Sequence, residues 1–415
     1  MIRIGIVGCG RILAAHLHGL RILREKGVDN FRITALCDSV IENAASFRKR
    51  GEGPPPRPPV TLDPADPLSR SHLYVDDFQK DELPTLYGDY EEMLKDDVVD
   101  AVVVLTPVSA HHPVALASLK AGKHVIVEKP IAITVRAARQ MVDEADRQQR
   151  VLSVAEVDRY DTMTRVNQWV LDQGTIGEVQ MVMAGCIGAP PWSPNKMVAQ
   201  TPWRYQKLKA GGGGAIDFGV HSFNTLRYIC GEIRELVGLI RTLEREMVTL
   251  DEQGNVIDRV ENEVDDVYFA TLQFENGGIG ETFFCWAGHG EPFAMPWGGM
   301  IWGSKGSLGG GKITLDDGTT GPAEELFTAH ASREVKERFF PMDMRDGFAL
   351  ELYDFLQAVE GKKEPETSGR DGLRDLAVAY AVIESSLLGR WVEVSEVESG
   401  RVEGYQQEIN RYYGL

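Results

Sequence analysis

The chain has 415 residues, of which 43% are hydrophobic and 26% charged, the composition of a folded globular protein long enough for two cores. Its formal net charge is −18 and no long Lys/Arg run interrupts it, which argues against nucleic acid or an anionic membrane as a partner, since either needs a basic face to displace counterions. Cys9, Cys37, Cys186, Cys230 and Cys285 are scattered without a C-x-x-C pair, so they read as buried apolar residues of a reducing compartment and not as disulfides or metal ligands. MIRIGIVG opens directly into an apolar strand, and no run approaches the ~20 apolar residues of a bilayer span, so a cytoplasmic location is expected.

Ile2–Val7 is a short apolar run ending in Gly8-Cys9-Gly10-Arg11-Ile12-Leu13, and LAAHLHGLRILRE beyond it has helical apolar spacing. Strand, glycine turn and helix is the setting in which a dinucleotide pyrophosphate meets free backbone donors, which makes Gly8, Gly10, Arg11 and Ile12 candidate cofactor contacts. Leu13 stands where G-x-G-x-x-G has its third glycine. A second strand, Phe31–Cys37, ends in Asp38, the acidic residue expected on the adenosine ribose hydroxyls. Asp38 favours NAD by repelling a 2′-phosphate, while Arg48, Lys49 and Arg50 stand near enough in sequence to admit NADP.

After a helix through about residue 50 comes a proline-rich insertion, about 51–70, with seven prolines between Pro54 and Pro67. It cannot be a helix or a central strand, so it is a surface excursion, either a spacer or a cover for the adenine side or a neighbouring subunit. A helix is expected over 87–96 and a strand over 101–105, whose continuous β-branched run implies burial on both faces of a parallel sheet. That strand ends in Thr106-Pro107, a helix closes on Gly122, and a strand over 124–127 ends in Glu128-Lys129-Pro130. Ligands of open α/β sheets bind beyond the carboxyl ends of the strands, so Thr106, Pro107, Glu128 and Lys129 join the candidate set. Pro130 restricts the backbone of Lys129 and aims its ammonium.

A one-faced helix over 134–145 leads to a change of pattern at residue 151. A helix over 162–172 is followed by strands over 179–187, 237–242, 264–274, 278–285 and 300–303, then by helices over 347–359 and 369–388 and a polar tail. Strands in succession imply a largely antiparallel sheet. The expected fold is therefore α/β, with an N-terminal Rossmann dinucleotide-binding domain over 1–131 and a C-terminal α+β domain over 132–415 built on a large, open, mainly antiparallel sheet. In the latter, AGGGGAIDFGVHSFN places Asp217 and His221 four apart on a helix expected over 214–229, where a carboxylate would meet an imidazole. The plainer reading is a loop before a core helix with a satisfied histidine. Arg159, Tyr160, Trp203 and Arg204 are candidates for a polyol pocket, as bidentate donors and aromatic faces suit sugars, and are equally readable as packing. Loops 187–210 and 286–300 are expected to shape the pocket.

GCGRIL, TPVSAHH, AGKHVIVEKP, RYDTMTR with GTIGEV, and TPWRY with AGGGGAIDFGVH stand in this order over most of the chain. On these motifs the sequence resembles the Gfo/Idh/MocA oxidoreductases, nicotinamide-dependent enzymes of sugars, inositols and related polyols. The resemblance implies a Rossmann domain followed by a sheet domain whose open face often mediates oligomers, hence a homodimer or homotetramer. It implies Lys129, Asp217 and His221 as the catalytic set, in contact with substrate, and puts His111 near the nicotinamide ribose. Leu13, Val108 and Asn224 depart from the family's usual small residue, asparagine and aspartate; at 224 an amide both donates and accepts where a carboxylate only accepts.

The expected activity is NAD-dependent hydride transfer between the nicotinamide and a secondary hydroxyl or ketone of a sugar, sugar derivative or cyclic polyol. His221 would take the hydroxyl proton, Asp217 would hold its tautomer, and Lys129 would hydrogen-bond the same oxygen. The alternative is glycoside cleavage through transient oxidation at C3, elimination and return of the hydride. A binding module without turnover should have lost part of the catalytic set, and this chain has all of it.

Overall fold

The computed structural model describes the chain except for residues 65, 189–195 and 252, so part of loop 187–210 lies outside the described residues. The chain forms two compact units: Met1–Ala132 with Ala137–Tyr160 and Phe340–Gly372, and Ile133–Arg136 with Asp161–Phe339 and Leu373–Leu415.

The first unit is built on β1 (Ile2–Val7), β2 (Phe31–Cys37), β3 (Thr85–Tyr87), β4 (Ala101–Val104), β5 (His124–Glu128) and β6 (Leu152–Ala155), all parallel, in the order β3-β2-β1-β4-β5-β6. Every residue of β4 is buried, as its unbroken apolar run requires when helices cover both faces. Tyr87 belongs to β3 and the following helix starts only at Tyr90, because Asp89 caps it by accepting from the Glu91 N–H at 2.8 Å. A single cut after residue 131 does not describe the unit. LSVA at 152–155 pairs in register with β5, and the helix Gly347–Val359 returns to pack on the helix Leu13–Glu25. The two approach where Gly19 has no side chain: a Cβ there would lie 2.8 Å from the Phe348 carbonyl carbon.

The second unit holds β7 (Val179–Ile187), β8 (Ile233–Arg241), β9 (Glu246–Leu250), β10 (Val256–Glu261), β11 (Val267–Phe274), β12 (Ile279–Cys285), β13 (Phe293–Ala294), β14 (Met300–Gly303), β15 (Gly306–Gly309), β16 (Lys312–Leu315), β17 (Thr320–Pro322) and β18 (Val392–Glu393). Its main sheet runs β17-β16-β15-β14-β7-β12-β11-β8-β18, with β13 on β7; β7 and β12 are parallel and the other neighbours antiparallel. Alternation buries one face and leaves Met181, Met183, Leu239, Phe269, Ile279 and Phe293 exposed on the other. The terminal stretch is not only a polar tail, since Val394–Glu398 and Gln407–Tyr413 are short helices. Among the described residues no helix is long and apolar enough to cross a membrane.

Candidate active site

In the first unit the carboxyl ends of β1, β2 and β4 gather Gly8 to Ile12, Asp38, Thr106 and Pro107. Gly8 has φ +100° and faces the end of β4 so closely that a Cβ would lie 2.6 Å from the Leu105 carbonyl carbon. Gly10 is different: a Cβ there would meet nothing within 4 Å, so its side is open space. No side chain caps the helix that starts beyond Ile12, and the Thr106 hydroxyl is buried with no hydrogen-bond partner. Bare N–H donors, an open glycine and an orphaned hydroxyl fit a dinucleotide, whose pyrophosphate these groups would hold. Leu13, in place of the third glycine, is fully buried.

Asp38 accepts from the Cys9 N–H at 2.8 Å, the Val40 N–H at 2.9 Å and the Asn43 amide at 3.1 Å, which fixes its carboxylate beside the glycine turn. Two members of the basic run after it are engaged elsewhere. Arg48 is spent on the Pro84 carbonyl and Glu52, both at 2.8 Å, and Arg50 lies 3.6 Å from Asp77.

At the ends of β4 and β5, His111 is buried with Nδ1 2.9 Å from the Pro130 carbonyl oxygen and Nε2 2.8 Å from that of Thr106. Burial pulls its pKa down, and a neutral ring has one N–H to give. His111 therefore donates to one of these two carbonyl oxygens, at the strand ends where the resemblance put a residue near the nicotinamide ribose. Glu128 accepts from the Lys129 N–H at 3.1 Å and meets His16 Nε2 at 2.9 Å. Burial opposes its ionisation, yet the His16 hydrogen bond and the nearby Lys129 hold its carboxyl below the ordinary value. The Lys129–Pro130 peptide is cis. Behind them lies a carboxyl that sequence reasoning missed: Glu351, with side chain 1% exposed, has one oxygen 3.8 Å from His16 Nδ1 and neither oxygen hydrogen-bonded. Tyr160 leaves the substrate set, because it is 1% exposed and its hydroxyl donates to Asp354 at 2.9 Å and lies 3.2 Å from the Thr367 hydroxyl. Arg159 is buried in the same unit.

In the second unit the glycine run folds against Asp265. Its carboxylate accepts from the Gly213 N–H at 2.8 Å and the Ala215 N–H at 2.7 Å, and burial pushes its pKa to about 6. A Cβ on Gly213 would lie 1.7 Å from the Asp265 carbonyl oxygen, so only glycine fits. The expected single helix is two, Gly214–Asp217 and Gly219–Cys230, divided at Phe218. There the His221 N–H donates to the Phe218 carbonyl, three residues back, at 3.1 Å, and the Phe218 ring stacks on Phe284 with centroids 4.0 Å apart. Asp217 ends the first helix and forms an ion pair with Arg204. Arg204 also donates to the Thr201 hydroxyl at 2.9 Å and lies 4.7 Å over the Trp203 ring. The structure therefore unites Trp203, Arg204 and Asp217, with His221 on the next turn. Asn224 turns away into the core, 1% exposed, with its amide donating to Asp375 at 2.7 Å, so it is not positioned to read a hydroxyl.

A six-stranded parallel sheet with a glycine turn, an acidic second-strand end and an uncapped helix start, followed by a mixed-sheet unit, defines a dinucleotide-dependent oxidoreductase. The chain belongs to the GFO/IDH/MocA family: residues 2–156 match the oxidoreductase family domain with an NAD-binding Rossmann fold, and residues 165–309 match the GFO/IDH/MocA C-terminal domain. It is 28% identical over 312 residues to the 1,5-anhydro-D-fructose reductase of Ensifer adhaerens, covering 75% of this chain and 83% of that one. It is 24% identical over 400 residues to the myo-inositol 2-dehydrogenase of Thermotoga maritima, covering 95% and 99%. A levoglucosan dehydrogenase in complex with NADH and levoglucosan has the same fold, with a TM-score of 0.72 at 21% identity, covering 95% of this chain and 99% of that one.

Proposed function

We propose that this protein oxidises a secondary hydroxyl of a sugar, sugar derivative or cyclic polyol, or reduces the matching ketone, with His221 as the group that carries the proton. The observation that carries the reading is the Arg204–Asp217 pair at the end of the helix turn before His221, on a glycine turn that Asp265 locks. NAD, when bound, supplies the hydride acceptor. As the C–H bond breaks, the hydroxyl proton passes to the His221 ring, whose ordinary pKa lies near ~6.5 and suits exchange around neutral pH. Asp217, anchored by Arg204, orients the ring and stabilises its charged form. Lys129 donates a hydrogen bond to the reacting oxygen and offsets its developing charge. Trp203 supplies an apolar face against C–H groups.

The relatives act, by their names, on an anhydrohexose, an inositol and levoglucosan, which supports this substrate class. The test is NADH formation with a panel of free sugars, inositols, sugar acids, anhydrosugars and glycosides. NADH from one polyol class supports the dehydrogenase; consumption of a glycoside without net NADH would replace it with the internal-redox cleavage. His221→Ala should lower kcat by about 10²- to 10⁴-fold at unchanged cofactor affinity, and a variant with the wild-type kcat would remove histidine from the chemistry. We also infer that the exposed apolar face of the main sheet is where copies of the chain associate.

A further inference from the structure

We propose that Tyr380 is a positioning residue of the proposed reaction: its hydroxyl pins together two segments of the second unit, Ile133–Arg136, which follows Lys129 in the chain, and the glycine run that leads to Asp217. The inference rests on the reading of Lys129, Asp217 and His221 as the reacting set. Tyr380 lies on the helix Gly369–Leu388 and is fully buried, with its hydroxyl 2.5 Å from the Ile133 carbonyl oxygen and 3.0 Å from that of Gly211. A phenol has one proton, so the two carbonyls share it in a three-centre bond. Burial holds its pKa well above the ordinary value, and the nearby Glu384 and Asp265 add to the rise, so the group stays a donor. A phenylalanine would fill the same space without asking for an acceptor, and packing alone does not account for the oxygen. Both acceptors sit where regular structure stops. Gly211 ends the short helix Lys207–Ala210 at φ +83°, and Ile133 precedes the helix Val135–Gln148, so each carbonyl takes its partner from elsewhere in the fold.

The two segments also meet directly. A Cβ on Gly211 would lie 2.7 Å from the Ile133 carbonyl oxygen and 2.8 Å from the Tyr380 hydroxyl, so only glycine lets them approach. Residues 403–415 tie the same pair a second time. On one side the Thr134 hydroxyl donates to the Asn410 side-chain oxygen at 2.7 Å, the Val135 N–H to that of Gln406 at 2.9 Å, and Arg136 pairs with Glu403. On the other the Tyr413 hydroxyl donates to the Leu208 carbonyl at 2.7 Å and Lys207 lies 2.8 Å from Glu408. Tyr380 does with one buried oxygen what that segment does with several side chains. Beyond Gly211 the chain is braced by Asp265 at Gly213 and Ala215, so a displacement at Gly211 is carried along a stiff turn to Asp217 instead of being absorbed. A displacement of about 1 Å at a reacting group costs up to about a hundredfold in rate.

The test compares Tyr380→Phe, Tyr413→Phe and Tyr160→Phe with the wild type. Tyr160→Phe is the control, a buried hydroxyl of the first unit whose bond to Asp354 is remote from both segments. Hydrogen–deuterium exchange of the unliganded proteins, read on peptides over 131–137 and 207–217, is set beside thermal midpoints and beside kcat and KM with NAD⁺ and the sugar or polyol that the wild type oxidises. Tyr380→Phe should speed exchange about tenfold in both peptides and lower kcat about ten- to a hundredfold with KM within about threefold. Tyr413→Phe, which releases Leu208 alone, should speed exchange only over 207–217 and keep kcat within about threefold. Tyr160→Phe should lose stability yet keep both peptides protected and kcat within about twofold. Wild-type exchange in Tyr380→Phe would overturn the proposal, and so would a loss of kcat in Tyr160→Phe as large as in Tyr380→Phe, since destabilisation alone would then explain it. Should Tyr380→Phe not fold, faster exchange of both peptides in Tyr413→Phe would overturn the proposal by giving the tie to the terminal segment, and faster exchange confined to 207–217 would support it. A wild type that forms no NADH with any substrate would overturn the reaction reading, and the exchange data would still decide whether Tyr380 joins the two segments.

Discussion

Glu351 shows what a buried carboxyl costs when its neighbours are also acids. Desolvation raises its pKa well above the ordinary value, and Glu128, Glu156, Asp346 and Asp158 add to the rise, while the facing imidazole of His16 stands 3.8 Å away and gives no hydrogen bond. In the unfolded chain the same carboxyl loses its proton near pH ~4.3. Between that value and the raised folded value the folded state holds the extra proton, so this residue makes stability fall as pH rises, with a slope of at most about 1.4 kcal/mol per pH unit. Glu351→Gln should remove that slope, and the variant should gain on the wild type progressively as pH is raised above ~4.3. Urea unfolding at a series of pH values measures it, and parallel stability curves would show that Glu351 ionises freely. Nothing in GFALELYDF marks this carboxyl, because its burial comes from a helix packed on a segment more than three hundred residues earlier in the chain.

At the scale of elements, the glycine turn before Asp217 is only as rigid as Asp265. The spacing of AGGGGAIDFGVH was legible because glycine runs and an acid–histidine pair need no tertiary information. Its partner was not legible, standing 52 residues away in VDDV, inside a stretch that apolar patterning assigned to a strand. The strand starts only at Val267, because Asp265 turns to the glycine N–H groups and Asp266 to those of Leu243 and Glu244 at 2.7–2.9 Å. Removing Asp265 leaves two buried donors without an acceptor, each worth about 1–3 kcal/mol. Asp265→Ala should therefore destabilise the protein by about 2–4 kcal/mol and lower kcat more than it raises KM, since it loosens the support of Asp217 and His221. Asp265→Asn, which restores one acceptor, should lie between. Denaturant titration and steady-state kinetics check both, and an Ala variant as stable as wild type would mean the turn holds itself. The charged hairpin β9–β10 escaped notice for the opposite reason: its strand Val256–Glu261 buries no residue, so it has no apolar period to read.

For the whole molecule, the proposed association of copies rests on the open face of the main sheet. The family resemblance implied an open sheet face that associates, but the cross-strand register that joins its apolar residues came only with the fold. Leu239, Phe269 and Phe283 stand opposite one another on three neighbouring strands, and Ile279 faces Met181. The rings of Phe269, Phe283 and Phe293 stack with centroids 5.6 and 6.0 Å apart, while Phe269 and Phe293 keep 46% and 53% of their surface in contact with water. A monomer rarely keeps a contiguous apolar area of this kind exposed. In the proposed oligomer a second copy would present the same face, and Glu281, which accepts from the Thr271 hydroxyl at 2.6 Å, would give the patch a polar element to set its register. Phe269→Glu would bury an unpaired charge among aromatic rings at the centre of such an interface, a loss of about 2 kcal/mol or more, so the dissociation constant of the oligomer should rise roughly thirtyfold or beyond. Light scattering across a dilution series reads the mass directly. A wild type that stays monomeric at every concentration would end the proposal; a variant that dissociates with its circular dichroism unchanged would place the interface on this face, because Phe269 points out of the sheet and supports nothing beneath it.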